Sequence, residues 1–441
     1  MNNLTVPCST LRLRHYRAAA VFVAAALALT ACTGAEPLLS PTSAASPAAS
    51  PPAAPAANAD TLTWGMDATT PDSSWQKPAL GAVTSDPVYG TTIQRVTSAE
   101  GTRFDRNSYS RRQAENADGS MFFTYHGDAE YHVYSTIDAA LISALEIHPD
   151  AEPQWHPTDP RRIRYLAGPN SSEGDLTLFE LDVTTGKSTV IADLTAPITA
   201  AFPGADYMKD RSEGSPSSDG NRYAWIVYNA AEEPLGMVSY DLASNSVLGT
   251  SKLPADTDWV SASPTGKYVV ASAESGTYVY DADLTHQRLL TEASEHSDIA
   301  LSADGRDAYV YIDFNSASET AGFLTSVDMD SLKRTTLFDA YDDANTSMHI
   351  SGKGYDKPGW VVVSTYNCNA EGAWTCEKVM AIELDGGRIL NLAHTYNCGE
   401  DYWTETHAVV NRSFTHVYFN SDGGSCGMDA EVYRIDVPAF D

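Results

Sequence analysis

The chain is short of positive charge, of cysteine and of helical periodicity, and each shortage removes a class of protein. Lys and Arg number 28 against 58 Asp and Glu, a formal net charge of -30. A surface of that sign repels phosphate backbones and anionic lipid headgroups, so nucleic acid is excluded as a partner. A strongly anionic ligand would need a cation or a local basic patch to meet it. Apolar residues at i, i+3, i+4 spacing are nearly absent, which excludes a helical bundle or a doubly wound α/β fold. The six cysteines contain no C-x-x-C pair, against a zinc ribbon or a redox motif. No hydrolase triad is evident. The one long apolar run, Ala18 to Leu29, is too short and wrongly flanked for a spanning helix.

That run follows Arg12, Arg14 and Arg17 and ends in Leu29-Thr30-Ala31-Cys32. The arrangement resembles the lipobox of bacterial lipoproteins, in which cleavage precedes a lipidated cysteine. Residues 1–31 are then expected to be a signal peptide, with Cys32 the lipidation site. Residues 32–60 are Ala, Pro and Ser with almost nothing to bury, which makes them a tether. The resemblance implies a protein held on the external face of the cell envelope and meeting the membrane only through its acyl chains.

About 380 residues remain, 61–441, and an internal repeat makes them one domain rather than two or three. A short apolar lead is followed by a Ser/Asn-x-Asp-Gly-like turn and then a strand rich in aromatic and β-branched residues. Asn116-Ala-Asp-Gly119 precedes Met121–Tyr125, Ser217-Ser-Asp-Gly220 precedes Tyr223–Val227, and Ser302-Ala-Asp-Gly305 precedes Ala308–Tyr311. Looser copies start at Pro157, Ser263, Gly352 and Asn411, about 40 to 60 residues apart. Second strands such as Leu176–Asp182, Thr277–Asp281 and Glu431–Asp436 alternate apolar with polar residues. Units of this length with some four strands each are blades, so the expected fold is all-β, a seven-bladed β-propeller. The stretch Gly81–Ser98 lies before the first copy and is expected to complete the last blade. In an oxidising exterior, Cys368 is expected to pair with Cys376 and Cys398 with Cys426, a zinc site being the alternative.

Residues just before each innermost strand of a propeller line one mouth of its channel. Here they are Arg111, Arg112 and Gln113; Glu152 and Gln154; Arg211 and Glu213; Asp258; His296 and Asp298; His349; and Glu405 and His407. Three successive units thus bring His296, His349 and His407 to equivalent places with carboxylates beside them, a pattern suited to a divalent metal or to acid–base chemistry. A second group, His126 to His132, flanks a hairpin turn and reads as turn chemistry or as another site. Trp403 stands near a strand start, where it can pack between blades or stack on a sugar.

The stretch Glu405-Thr-His-Ala-Val-Val-Asn-Arg-Ser-Phe-Thr-His-Val-Tyr-Phe-Asn-Ser-Asp422 resembles the final repeat of oligogalacturonate lyases. The Ser-x-Asp-Gly turns are similar to those of TolB-type propellers. Arg112-Gln113 with Glu152-Pro-Gln-Trp-His-Pro is similar to propeller ulvan lyases. These resemblances imply cleavage of uronic-acid polysaccharide or oligosaccharide by β-elimination. A cation or cationic side chains neutralise the uronate carboxylate, and a base removes the adjacent proton. Carried onto this chain, His296, His349 and His407 are catalytic and, with Glu405, metal ligands for a divalent cation such as Mn, Ca or Zn. Arg112 pairs with the carboxylate, and Gln113, Glu152, Glu213, Asp298 and Trp403 contact substrate. The pectic family carries a Gln and two closely spaced His in this motif. Here Glu405 and Thr406 precede a single His407, and Glu405 has to take the missing ligand's place. The alternative is a non-catalytic surface propeller that binds glycan or a protein partner.

Overall fold

The computed structural model describes residues 62–441, apart from 170–175, 212, 255, 294, 316, 342–345, 369–371 and 399–401. The basic segment, Cys32 and the tether lie outside the described residues. Among those described are 29 strands and one α-helix, Thr195–Ala201. None of their helices is long and apolar enough to cross a membrane.

The strands pair antiparallel in consecutive sets, as in Thr257–Ala262, Tyr268–Ala273, Gly276–Asp281 and Arg288–Thr291. Five such four-stranded sheets are separate, and a nine-stranded sheet contains two further sets. One of these is Phe104–Arg106, Met121–His126, Tyr131–Ser135 and Leu141–Leu145. The other joins Val409–Val410, His416–Ser421 and Ala430–Asp436 to the N-terminal strands Thr92–Arg95 and Val83–Ser85. Two parallel bridges, Ala430 to Phe104 and Glu431 to Asp105, connect the sets. The first strands of the described fold therefore pair with the last.

The repeat signature has a local cause. In the copies that end at Gly220, Gly266 and Gly305 the Gly lies in the left-handed region, at φ 69°, 71° and 80°. Its N–H donates to the carbonyl three residues earlier, at 2.8 Å in all three. Only Gly takes that conformation without strain, and the preceding Asp accepts from the Ser hydroxyl, 2.5 Å at Asp219 and 2.7 Å at Asp304. The strand after the turn is mostly apolar because both its faces are covered. Tyr268–Ala273 and Asp307–Ile312 are buried at every position. Outermost strands such as Arg334–Asp339 alternate, since one face meets water.

Each buried cluster is shared by two successive sets. Trp259 and Val270 pack with Ile299 and Tyr309. Val310 and Leu324 pack with Met348 and Val363, and Val362 and Leu392 with Val410, Phe419 and Ile93. Val96, Phe122, Val409, Tyr418 and Val432 then join the last set to the first. Cys368–Cys376 and Cys398–Cys426 are bonded as the sequence suggested, with Cα separations of 5.3 Å and 4.8 Å, which leaves no thiol set for zinc.

Ile93 is fully buried on the N-terminal strand that pairs with Ala430–Asp436. Its truncation, Ile93→Ala, should cost about 2–5 kcal/mol of unfolding free energy in urea titrations. A loss below about 1 kcal/mol would show that this strand does not hold the ends together.

Candidate functional site

Three inner strands bring their leading residues to one place. His296 precedes Ser297–Leu301, His349 lies within Ser347–Ser351, and His407 precedes Val409–Val410. The rings of His296 and His349 stack with centroids 5.0 Å apart, and His407 meets His349 edge-on at 4.2 Å. Tyr366 stacks on His349 at 4.7 Å, and Tyr109 closes over both His349 and His407, at 5.5 Å and 5.1 Å. His407 has φ 38°, a left-handed conformation that an L-residue adopts at some cost and that turns its ring inward.

Glu405 reaches both of the deeper imidazoles. Its Oε2 is 3.5 Å from His349 Nε2 and 3.3 Å from His407 Nε2. The ligand atoms of His349, Glu405 and His407 lie within 4.8 Å of one another. Two imidazoles and a carboxylate suit a divalent transition ion, and His407 Nε2 is buried without a hydrogen-bond partner. One contact works against that use. Arg106 Nη1 is 3.0 Å from His407 Nδ1, and a guanidinium can only donate, so Nδ1 accepts and the neutral ring carries its proton on Nε2. The trio fits a cation in donor type and spacing once Arg106 withdraws or the ring turns over.

Burial dominates the electrostatics. It pushes the His349 and His407 imidazoles well below the ordinary value, helped by Arg106 nearby, and lowers His296 less far. The three rings are therefore neutral near pH 7. His296 Nδ1 lies 3.0 Å from the Met348 carbonyl oxygen, which can only accept. Nδ1 thus holds the proton, and Nε2 presents a lone pair.

The cationic and aromatic groups form the rest of the wall. The Arg106 guanidinium sits 4.6 Å over Trp403 and 5.6 Å over Tyr402, and its Nε has no hydrogen-bond partner. Trp403 stacks on Phe104 at 5.0 Å, and Tyr402 is 51% exposed. Arg111 lies 4.4 Å over Trp259 and 3.1 Å from Glu213. Burial pushes Glu213 up to about 7 despite that partner.

The other expected contacts turn elsewhere. Arg112 is wholly buried and pairs within the protein, 2.6 Å from Asp210 and 4.0 Å from Glu152. The two side chains leave the turn in different directions, Arg111 over Tyr109 and Trp259 and Arg112 toward the neighbouring set. Glu152 accepts from the Asp210 N–H at 2.7 Å, and Gln113 donates to the Lys353 carbonyl at 3.2 Å. Asp298 pairs with Lys353 at 2.9 Å and accepts from the Gly352 N–H at 2.7 Å, holding adjacent inner strands together. His296 stacks on His349 but stands outside the His349–Glu405–His407 donor set. Arg106, Tyr109, Tyr366 and Tyr402 were not singled out by sequence. Arg106 belongs to a strand of only three residues, Phe104–Arg106, which shows no periodicity; its aromatic neighbours were the available signal. Gly423-Gly-Ser-Cys-Gly427 has the letters of a nucleophile elbow, but a strand follows it, Cys426 is disulfide-bonded, and Ser425 donates to Asp429 at 3.0 Å.

With this geometry established, two solved structures bear on the fold. An oligogalacturonate lyase in complex with manganese superposes with TM-score 0.57 at 15% identity, covering 82% of this chain and 98% of that one. An oligogalacturonate lyase from Vibrio parahaemolyticus gives TM-score 0.56 at 14% identity, covering 82% and 99%. No protein-family model matches the chain, and neither does any curated protein. At such identities the likeness is one of fold, and it defines the chain as a β-propeller.

Two measurements test this reading of the charges. Arg112→Ala leaves Asp210 buried without its cation and should cost about 3–5 kcal/mol in denaturant titrations, where a ligand-facing arginine would cost little. Folded Glu213 holds its proton up to about pH 7, whereas the unfolded carboxyl releases it near 4.5. Between those values the folded state binds more protons, so this group's contribution to stability falls as pH rises. Glu213→Gln removes that slope. Its unfolding free energy relative to wild type should therefore rise by on the order of 3 kcal/mol between pH 4.5 and 7.5. A pH-independent difference would refute the shift.

Proposed function

We propose that the chain is a seven-bladed propeller lyase that takes an acidic oligosaccharide at the His296–His349–His407 mouth and cleaves it by β-elimination. The observation that carries this reading is the convergence of neutral imidazoles, Glu405 and Arg106 beneath an exposed aromatic face. The whole chain is acidic, but this mouth has Arg106 and Arg111 at its wall, the local positive charge that a uronate requires.

Tyr402, half exposed, offers its ring face to a sugar, with Trp403 packed behind Arg106. Arg106, whose Nε lacks a partner, holds the uronate carboxylate and spreads the charge that develops on it, which acidifies the adjacent C5–H. His296 takes that proton on Nε2, the nitrogen its Met348 contact leaves free. The C–H electron pair becomes the C4=C5 double bond, the C4–O4 bond breaks, and O4 takes a proton from water at the open mouth. A divalent cation bound by His349, Glu405 and His407 would add positive charge for the same carboxylate. The lipobox-like segment at Cys32 supports placing this activity on the outer face of the cell envelope.

The test is a panel of pectic, ulvan, alginate and glucuronan oligosaccharides, followed by the ultraviolet absorbance of unsaturated products. Activity is expected on at least one. His296→Ala should lower it about 100-fold or more while the thermal midpoint stays at the wild-type value. Silence across the panel with retained sugar binding would replace the lyase with a non-catalytic glycan-binding propeller.

A further inference from the structure

A second cluster of ligating side chains lies on the first complete set of strands and shares no residue with the mouth trio. Asp105 pairs in register with His126, and Thr124 with His132. His126 is two residues from Thr124, so Asp105, Thr124, His126, His132 and Tyr134 all project from one face of this sheet. The rings of His126 and His132 stack at 4.2 Å. Ligand atoms of Asp105, His126 and His132 lie within 4.8 Å of one another, as do those of Asp128, Glu130 and His132.

The hydrogen bonds decide which nitrogen is open. The Tyr134 hydroxyl is 2.5 Å from Asp105 Oδ2 and 3.3 Å from His132 Nδ1. A carboxylate can only accept and is the nearer of the two, so the single hydrogen of the Tyr134 hydroxyl goes to Asp105. The tyrosine oxygen then accepts from His132 Nδ1–H, and His132 Nε2 carries the lone pair. That is the arrangement of a metal-ligating histidine whose second nitrogen is held by an outer partner. Thr124 also donates to Asp105, fixing the carboxylate. His126 Nδ1 is 2.7 Å from Asp128 Oδ1, which ties the turn carboxylate to the pair of rings. Asp128 and Glu130 are about half exposed, at 49% and 52%, and give an ion a way in.

We propose that Asp105, His126 and His132, with Asp128 or Glu130 completing the shell, form a binding site for a zinc-class divalent ion. Two imidazoles with carboxylates are a borderline donor set suited to such ions. Ligand atoms around a tetrahedral zinc stand about 3.4 Å apart, so the cluster must contract by side-chain rotation alone. The turn between His126 and His132 is thereby clamped.

The test titrates Zn²⁺ into the full chain against a chromophoric chelator. His349→Ala/His407→Ala, which lacks the mouth donors, should still bind one zinc. Adding His132→Gln should abolish it, and Tyr134→Phe in place of His132→Gln should weaken it about 10-fold or more. X-ray absorption of the zinc-loaded mouth variant should count two imidazole ligands, a readout that needs no further substitution at the site. The proposal fails if the mouth variant binds no zinc, if its zinc shows no imidazole, or if a folded His132→Gln variant binds as before.

Discussion

No set of strands in this chain has a core of its own. Each four-stranded sheet is a single layer, and its apolar faces become dry only against the sheets before and after it. Trp259 needs Ile299, Val310 needs Met348, and Phe122 needs Tyr418. Stability is therefore a property of the whole sequence of contacts, and the last set is the one assembled from strands at both ends of the described residues. Pairing Thr92–Arg95 with Ala430–Asp436 joins those ends with backbone hydrogen bonds as well as packed side chains.

The same constraint creates the mouth. Inner strands that pack side by side bring their leading residues within a few ångströms, whatever those residues are. Polar groups placed there must either find partners or be exposed to ligand. Asp298 with Lys353, and Arg112 with Asp210, are groups that found partners and hold neighbouring inner strands together. His349 Nδ1 and His407 Nε2 have no hydrogen-bond partner, and burial keeps the rings of His296, His349 and His407 neutral. Internal ion pairs thus hold the wall rigid, while incompletely satisfied imidazoles line the opening.

Much of the fold was legible because its repeat is punctuated by a turn whose chemistry is local. A Ser-x-Asp-Gly turn needs Gly at positive φ and Asp within reach of the Ser hydroxyl, and both needs are written in adjacent residues. Registering the turns also put His296, His349 and His407 at the starts of neighbouring inner strands, where their rings meet, since each copy counts back to the start of its inner strand. The method failed where the strand was too short to register. Phe104–Arg106 has three residues, and counting back from Asn116 led to Arg112 rather than Arg106. Where each of two consecutive arginines turns depends on a side-chain direction that spacing alone does not encode.

By itself, then, the amino-acid sequence determined the class of fold, the disulfide partners and the meeting of three histidines, because these follow from turn chemistry, strand alternation and the spacing of the late cysteines. Tertiary structure alone decided how each polar group is used. It set Arg106 against His407, gave Arg112 to Asp210, and brought Asp105, His126 and His132 to one face of a hairpin. The reason is that a side chain's charge, tautomer and free lone pair depend on what lies within about 3 Å of it. In a fold built from neighbouring sheets, those atoms come from residues far away in the chain.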